Sequence, residues 1–227
     1  MHRIRRTVAI MQPYFFPYAG YFRLLANSDL FIIYDCVQFP RRGWLHRNKL
    51  MDRSGESQWL TLPLLKQPQS VLIKDLQFPD HAAVELEQRL RKFPLPTRDE
   101  AWKAQVIEHV LAMKTNVVDY LEANLKLVAS RLGLPWNVRR SSEFGVPDTL
   151  RGQDRIIEIA HLAGAERYLN SPGGVDLYDQ DSFSRHGLEL AFLPEYKGCY
   201  GSILGRILAE DAAELASEIM GNGTRPS

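Results

Sequence analysis

The sequence predicts an α/β fold built on a mostly parallel sheet, with a helical insertion over about residues 81–132. Three observations carry this expectation. Two short apolar runs, Val8-Ala9-Ile10 and Leu30-Phe31-Ile32-Ile33, flank a helical turn, which is the order of a βαβ unit. Apolar residues then recur at helical spacing from His81 to Leu132. Strand and helix signals alternate again from Trp136 onward.

Taken in order, Thr7–Ile10 reads as a strand, Gly20–Ala26 as a helical turn or more, and Leu30–Tyr34 as a second strand of β-branched and aromatic residues. The short crossover still favours a parallel pair. Lys49–Leu65 reads as a hairpin, because Arg53-Ser54-Gly55-Glu56 is turn chemistry and Gln58–Leu62 alternates. Val71–Leu76 reads as another strand. Three amphipathic helices follow, marked by Leu86, Leu90 and Phe93, then Val106 and Val110, then Val118, Leu121, Leu125 and Val128. Pro94 and Pro96 separate the first two, and Thr115-Asn116 starts the third. Their apolar faces need each other and the sheet, so they are read as an insertion within one domain. A lid or a homodimer interface would suit them equally. Beyond them, Trp136–Arg139 is a candidate strand, Asp154–Ala163 a helix closed by Gly164, and Arg167–Leu169 a strand feeding a Gly-rich loop. Leu188–Leu193 is a last strand and Ser202–Met220 a final helix.

Composition limits the function classes. A chain of 227 residues can bury a large core. Its net charge of +1 gives no strong nucleic-acid signal, although Arg41, Arg42, Arg47 and Lys49 cluster locally. No apolar stretch reaches the roughly 20 residues of a spanning helix. The basic start is followed by an apolar run that stops at Gln12-Pro13, too soon for a secretory signal. Cys36 and Cys199 lie far apart, which supports neither a disulfide framework nor a zinc cluster. A soluble cytoplasmic protein is expected. The residues identify no cofactor and no metal site.

The candidate site lies between residues 10 and 48, where polar and aromatic residues crowd just past two strands. Loops beyond strand ends carry polar groups that face a ligand. Asp35 is the leading carboxylate, as a general base or substrate clamp, with Gln12, His46 and Arg47 as its catalytic companions. Tyr14, Tyr18, Gly20, Gln38, Arg42, Trp44 and Asn48 are candidate substrate contacts. Asn170 and Gly173 after a later strand, and Lys197 and Ser202 before the last helix, complete the set. Packing readings stand beside these: Gln12 closing a strand end, the tyrosines half-buried with wet hydroxyls, Asp35 capping a turn, Cys36 a small buried filler.

Several of these segments carry a resemblance. Ile10-Met-Gln-Pro-Tyr-Phe-Phe-Pro-Tyr-Ala-Gly-Tyr-Phe22 resembles the opening motif of the WbqC-like protein family. So do Tyr34–Phe39 with Arg42-Gly43-Trp44 and Arg47-Asn48, then Trp59–Pro63, Gly152–Ile156, Tyr168-Leu-Asn170 with Gly173-Gly174, and Leu177-Tyr178-Asp179. The likeness runs from about residue 6 to about residue 218 and implies a Rossmann-like sheet. It also implies a role in O-antigen and other surface polysaccharide synthesis, with glycine or another aminoacyl group passed to a sugar. The chain departs from the pattern at Cys36, where a second aspartate is common, at His46, where Asn is usual, and at Gly205, where the pattern has an aspartate.

The expected function is therefore a group transfer, aminoacyl or acyl, onto a nucleotide-linked amino sugar. Asp35 or His46 would take the acceptor's proton, while Gln12, Arg47 and Asn48 would hold the donor carbonyl and phosphates. A binding or assembly protein using the same cleft is the alternative, favoured by the missing carboxylates at Cys36 and Gly205. A nucleotidyltransferase is a more distant one. Pro17–Tyr21 sits after the first strand where such enzymes place a helix N-terminus under phosphates, with tyrosines instead of histidines.

Overall fold

The parallel sheet has five strands in the computed structural model, which describes residues 5–94, 101–113 and 116–221. Its strands are β1 (Thr7–Met11), β2 (Leu30–Ile33), β5 (Val138–Arg140), β6 (Arg167–Asn170) and β7 (Glu189–Phe192). They lie in the order β5-β2-β1-β6-β7, and every neighbouring pair is parallel. A separate antiparallel hairpin joins β3 (Arg47–Met51) to β4 (Ser57–Thr61). The helices are α1 (Ala19–Ala26), α2 (Ala82–Leu90), α3 (Ala101–Leu111), α4 (Val117–Arg131), α5 (Gly152–Leu162), α6 (Gln180–Arg185), α7 (Ile203–Ala209) and α8 (Ala212–Gly221). This is an α/β, Rossmann-like architecture.

Both sheet faces are buried, which explains strands apolar at successive positions. Ala9, Phe31, Ile33 and Leu169 point into one core with residues of α1, α2, α3, α4, α7 and α8. Val8, Ile10, Leu30, Ile32, Tyr168 and Leu190 point into the other, covered by Ile156, Ile157 and Ile159 of α5 and Phe183 of α6. The short crossover through α1 does deliver a parallel pair, with Val8 opposite Leu30 and Met11 opposite Ile33. Asn116 caps α4 by accepting the Asp119 N–H at 3.0 Å.

Two readings of the sequence are corrected, and one helix is added. Val71–Leu76 forms no strand: Ile73–Asp75 is a 3₁₀ turn, and Gln38 opposite Leu72 is an isolated bridge. The backbone there pairs with the loop after β2, Ile73 N–H to Val37 O and Lys74 N–H to Asp35 O, both at 2.9 Å. The single helix expected over Ser202–Met220 is two. Glu210 is extended, and the Asp211 carboxylate accepts the N–H groups of Ala213 and Glu214, so a cap starts α8 where a helix would have continued. Helix α6 was not expected; its six residues are too few for periodicity, though Asp179 caps it through the Ser182 N–H. Pro96 and Thr115, read as helix punctuation, lie outside the described residues. No helix among the described residues is long and apolar enough to cross a membrane.

Candidate functional site

The carboxyl ends of the parallel strands converge on one edge, and the strand order reverses between β1 and β6. Ligands of open α/β sheets bind at such a reversal. Gln12 follows β1 there and Asn170 ends β6. Gln12 is half-buried, and its carbonyl accepts the Tyr21 hydroxyl at 2.9 Å. The Asn170 side chain is buried and turns back to accept the Ser171 N–H at 2.8 Å. Gly174 rather than Gly173 makes room for it: a Cβ on Gly174 would lie 2.3 Å from Asn170 Nδ2, whereas Gly173 faces open space.

The loop from β1 to α1 holds a non-glycine residue with positive φ, Phe16 at 44°. A bulky side chain rarely adopts that conformation, and strain of this kind gathers at functional sites. Two side chains secure it. Asn48 Nδ2 donates to the carbonyls of Phe15 at 3.0 Å and Phe16 at 2.6 Å, and Ser202 Oγ donates to the same Phe16 carbonyl at 2.9 Å. Asn48 stands on β3 and Ser202 caps α7, so the loop ties hairpin and C-terminal segment to the sheet edge.

Asn48 and Ser202 also line a cleft of about 620 Å³, together with Trp44, Lys49, Tyr200 and Arg206. Trp44 and Trp59 remain 46% and 42% exposed, with ring centroids 5.3 Å apart. Large indole surfaces are normally hidden, so an exposed adjacent pair marks a contact surface. Arg47 lies 4.4 Å and Lys49 5.2 Å from the Trp59 ring. Arg47 donates to the Arg42 carbonyl at 2.8 Å, and neither Arg47 nor Lys49 has a carboxylate partner among the described residues. Arg206 differs: it is bound by Glu210 and Glu218, which raise its proton affinity.

Tyrosines back the cleft. Tyr18 stacks on Tyr200 at 5.0 Å and lies 5.5 Å from Tyr196. Tyr14 packs 5.7 Å from Tyr21, and burial raises its phenol's proton affinity. Gly20 permits this cluster, since a Cβ there would come 2.2 Å from Tyr18 and 2.9 Å from Tyr196. Gly20→Ala is accordingly expected to destabilise the fold by about 1–3 kcal/mol in urea denaturation, through overpacking. An unchanged midpoint would mean that the tyrosines move aside freely.

Asp35 lies elsewhere, buried in a polar hub. It is 1% exposed, and its carboxylate accepts Ser141 Oγ at 2.8 Å, Ser142 N–H at 2.9 Å and Ser142 Oγ at 2.7 Å. These bonds tie β2 to the turn after β5. Beside it, Arg155 of α5 is buried and donates to the carbonyls of Cys36 at 2.6 Å, Leu150 at 2.9 Å and Pro147 at 3.1 Å. Cys36 Sγ lies 3.4 Å from that guanidinium, so the position where an aspartate was expected faces a cation. The geometry gives Asp35 and Arg155 the work of fastening loops.

His46 faces a different cavity, across the hairpin. Burial, with the Arg47 charge adding to it, lowers its proton affinity from 6.5 to about 4. Folding therefore favours the neutral ring, and this contribution to stability is whole above about pH 6.5 and lost as pH falls toward 4. The parent protein is expected to lose more melting temperature between about pH 7 and about pH 4.5 than His46→Gln does. Equal losses would show that His46 titrates normally. Gln38, Arg42 and Lys197 are exposed; Gln38 donates to the Gln69 carbonyl at 2.8 Å.

The cleft therefore gathers Trp44, Asn48 and Ser202, with Arg47 beside it and Tyr18 behind. It leaves out Asp35, His46 and Asn170. Trp59, Tyr200, Ser141 and Arg155 are not among the candidates the sequence singles out, although Trp59 and Arg155 sit within quoted motif segments, and Lys49 enters there only with the basic cluster. The sequence profile of the WbqC-like protein family matches residues 12–202, most of the chain.

It belongs to the WbqC-like protein family.

This WbqC-like protein is also 25% identical over 213 residues to the uncharacterized protein Rv1507c of Mycobacterium tuberculosis, covering 85% of this chain and 84% of that one. No solved structure matches it. The matched range includes Trp44, Asn48, Lys49 and Ser202 of the cleft lining, whereas the lining residues from Leu204 to Glu210 lie beyond it.

Proposed function

We propose that this WbqC-like protein binds a nucleotide-linked amino sugar in the cleft and acts in the cytoplasm as a group-transfer enzyme of surface polysaccharide synthesis, the O-antigen included. One observation carries the reading: a cleft of about 620 Å³ is lined by Trp44 and Lys49, and beside them stand Trp59, paired with Trp44, and Arg47, neither cation having a carboxylate partner among the described residues. Indole faces stack on sugars and bases, and cations without partners suit phosphates. The cleft is of the size that small-molecule sites take, roughly 300–1,000 Å³. In the proposed reaction the amine of the sugar attacks an acyl or aminoacyl carbonyl. An amide bond forms, the donor's ester or thioester bond breaks, and the amine proton departs with the leaving group.

A second reading has its own support. Asp35 is buried with its carboxylate engaged, and His46 holds a proton only weakly near neutrality. A protein that binds the same ligand without turnover would need no base.

Thermal melts with UDP-glucosamine test the binding step. A ligand at about 100 times its dissociation constant stabilises a fold by roughly 2.7 kcal/mol, a rise of several degrees. That rise is expected in the parent protein and is expected to vanish in Trp59→Ala and Lys49→Ala, whose exposed side chains contribute little to stability. Rises that persist in both variants, or none in the parent, would defeat the proposal. Mass spectrometry after addition of an acyl or aminoacyl donor separates the readings, since only a transferase adds the acyl mass to the sugar.

A further inference from the structure

The hairpin and α2 separate the cleft from a second cavity of about 500 Å³, and no lining residue is shared. Consecutive residues mark the divide: Arg89 faces this cavity and Leu90 the cleft. We infer that this second cavity is a binding site for a small organic anion with an aliphatic body.

Size, lining and charge support this. The volume lies inside the range of ligand sites, roughly 300–1,000 Å³. Phe39, Leu62, Leu64 and Leu76 supply an apolar wall, and such a wall recognises hydrocarbon. Arg41, Lys66 and Arg89 stand against one carboxylate, Glu85. Glu85 is already taken by Arg89 and lies 3.6 Å from His81 Nε2. Arg41 donates to the Gln67 carbonyl at 2.6 Å, and neither it nor Lys66 has a carboxylate partner among the described residues. Two positive charges are left for a ligand to meet. His46 lines the same space, and its Nδ1 is buried with no hydrogen-bond partner. Held neutral, the ring adds polarity without competing charge. An oxyanion headgroup would meet the cations while its hydrocarbon lies along the leucines. The inference does not rest on the proposed transfer reaction.

Proton NMR of the His46 ring, assigned by the signal lost in His46→Gln, reads the site directly. Octanoate and octyl phosphate are the probes, with octylamine and inorganic phosphate as controls. A saturable shift of the His46 signal is expected with one or both octyl anions. Affinity is expected to fall at least about tenfold in Arg41→Glu/Lys66→Glu, since like charge now meets the headgroup. Arg41→Gln/Lys66→Gln provides the same reading at lower electrostatic disturbance if the reversal does not fold. No saturable shift, an equal shift from octylamine, phosphate binding as tightly as octyl phosphate, or affinity unchanged by both pairs of substitutions would each overturn the inference.

Discussion

Replacing Arg155 by alanine is expected to destabilise the fold by about 3–5 kcal/mol, read as a lowered midpoint in guanidinium denaturation. The guanidinium is buried and donates to three carbonyls: that of Cys36, and those of Leu150 and Pro147, which also accept Arg151 Nη1 and the Leu150 N–H respectively. The Cys36 carbonyl left unpaired costs about 1–3 kcal/mol, and loss of the charge-assisted bonds to the other two adds to it. Arg155→Lys keeps the charge but not the planar fork, so an intermediate loss is expected. The exposed Asp148, 3.4 Å from Arg155, adds little, and Asp148→Ala is expected to change stability by less than about 1 kcal/mol. A loss under about 1 kcal/mol for Arg155→Ala would mean that the hub rearranges without it.

The second large effect is at Asn48. Its side-chain amide donates to two consecutive carbonyls, and its own oxygen accepts the Lys49 N–H at 2.7 Å. Asn48→Ala is expected to destabilise by about 2–4 kcal/mol, because Phe16 would keep its left-handed backbone with only Ser202 to secure it. Ser202→Ala removes the second bond to Phe16 and the cap on the Leu204 N–H, and is expected to cost about 1–2 kcal/mol. Since both side chains address the Phe16 carbonyl, the double variant should depart from additivity. Strict additivity in a double-mutant cycle would show that the two anchors act independently. Calorimetric titration adds a functional readout. If the strained loop shapes the cleft, Asn48→Ala binds UDP-glucosamine more weakly even at a temperature where it is fully folded.

Much of the layered fold was legible because its signals are local. Val8–Ile10 and Leu30–Ile33 are apolar on successive residues, which suits a strand covered on both faces. Gly164, at φ 69°, ends α5 as the sequence suggested. The failures share one cause. Val71–Leu76 has strand composition, but its backbone is claimed by the loop after β2, a partner more than thirty positions away. The break at Glu210-Asp211 is a contest between continuing a helix and capping the next, and periodicity does not register it.

The site divides the same way. The sequence by itself determined that this is an α/β protein and that residues 10–48 carry its unusual polar and aromatic chemistry. It also carries the family motif in its own residues. Only the tertiary structure decided which of those groups face open space. Asp35 and Asn48 are both polar residues near strand ends, and nothing local tells them apart. Ser141 and Ser142, over one hundred positions away, close around Asp35, whereas Asn48 meets Phe16 and Ser202 at the edge of a cleft. A side chain's accessibility depends on which distant segment packs over it, and that information lies in no window of sequence.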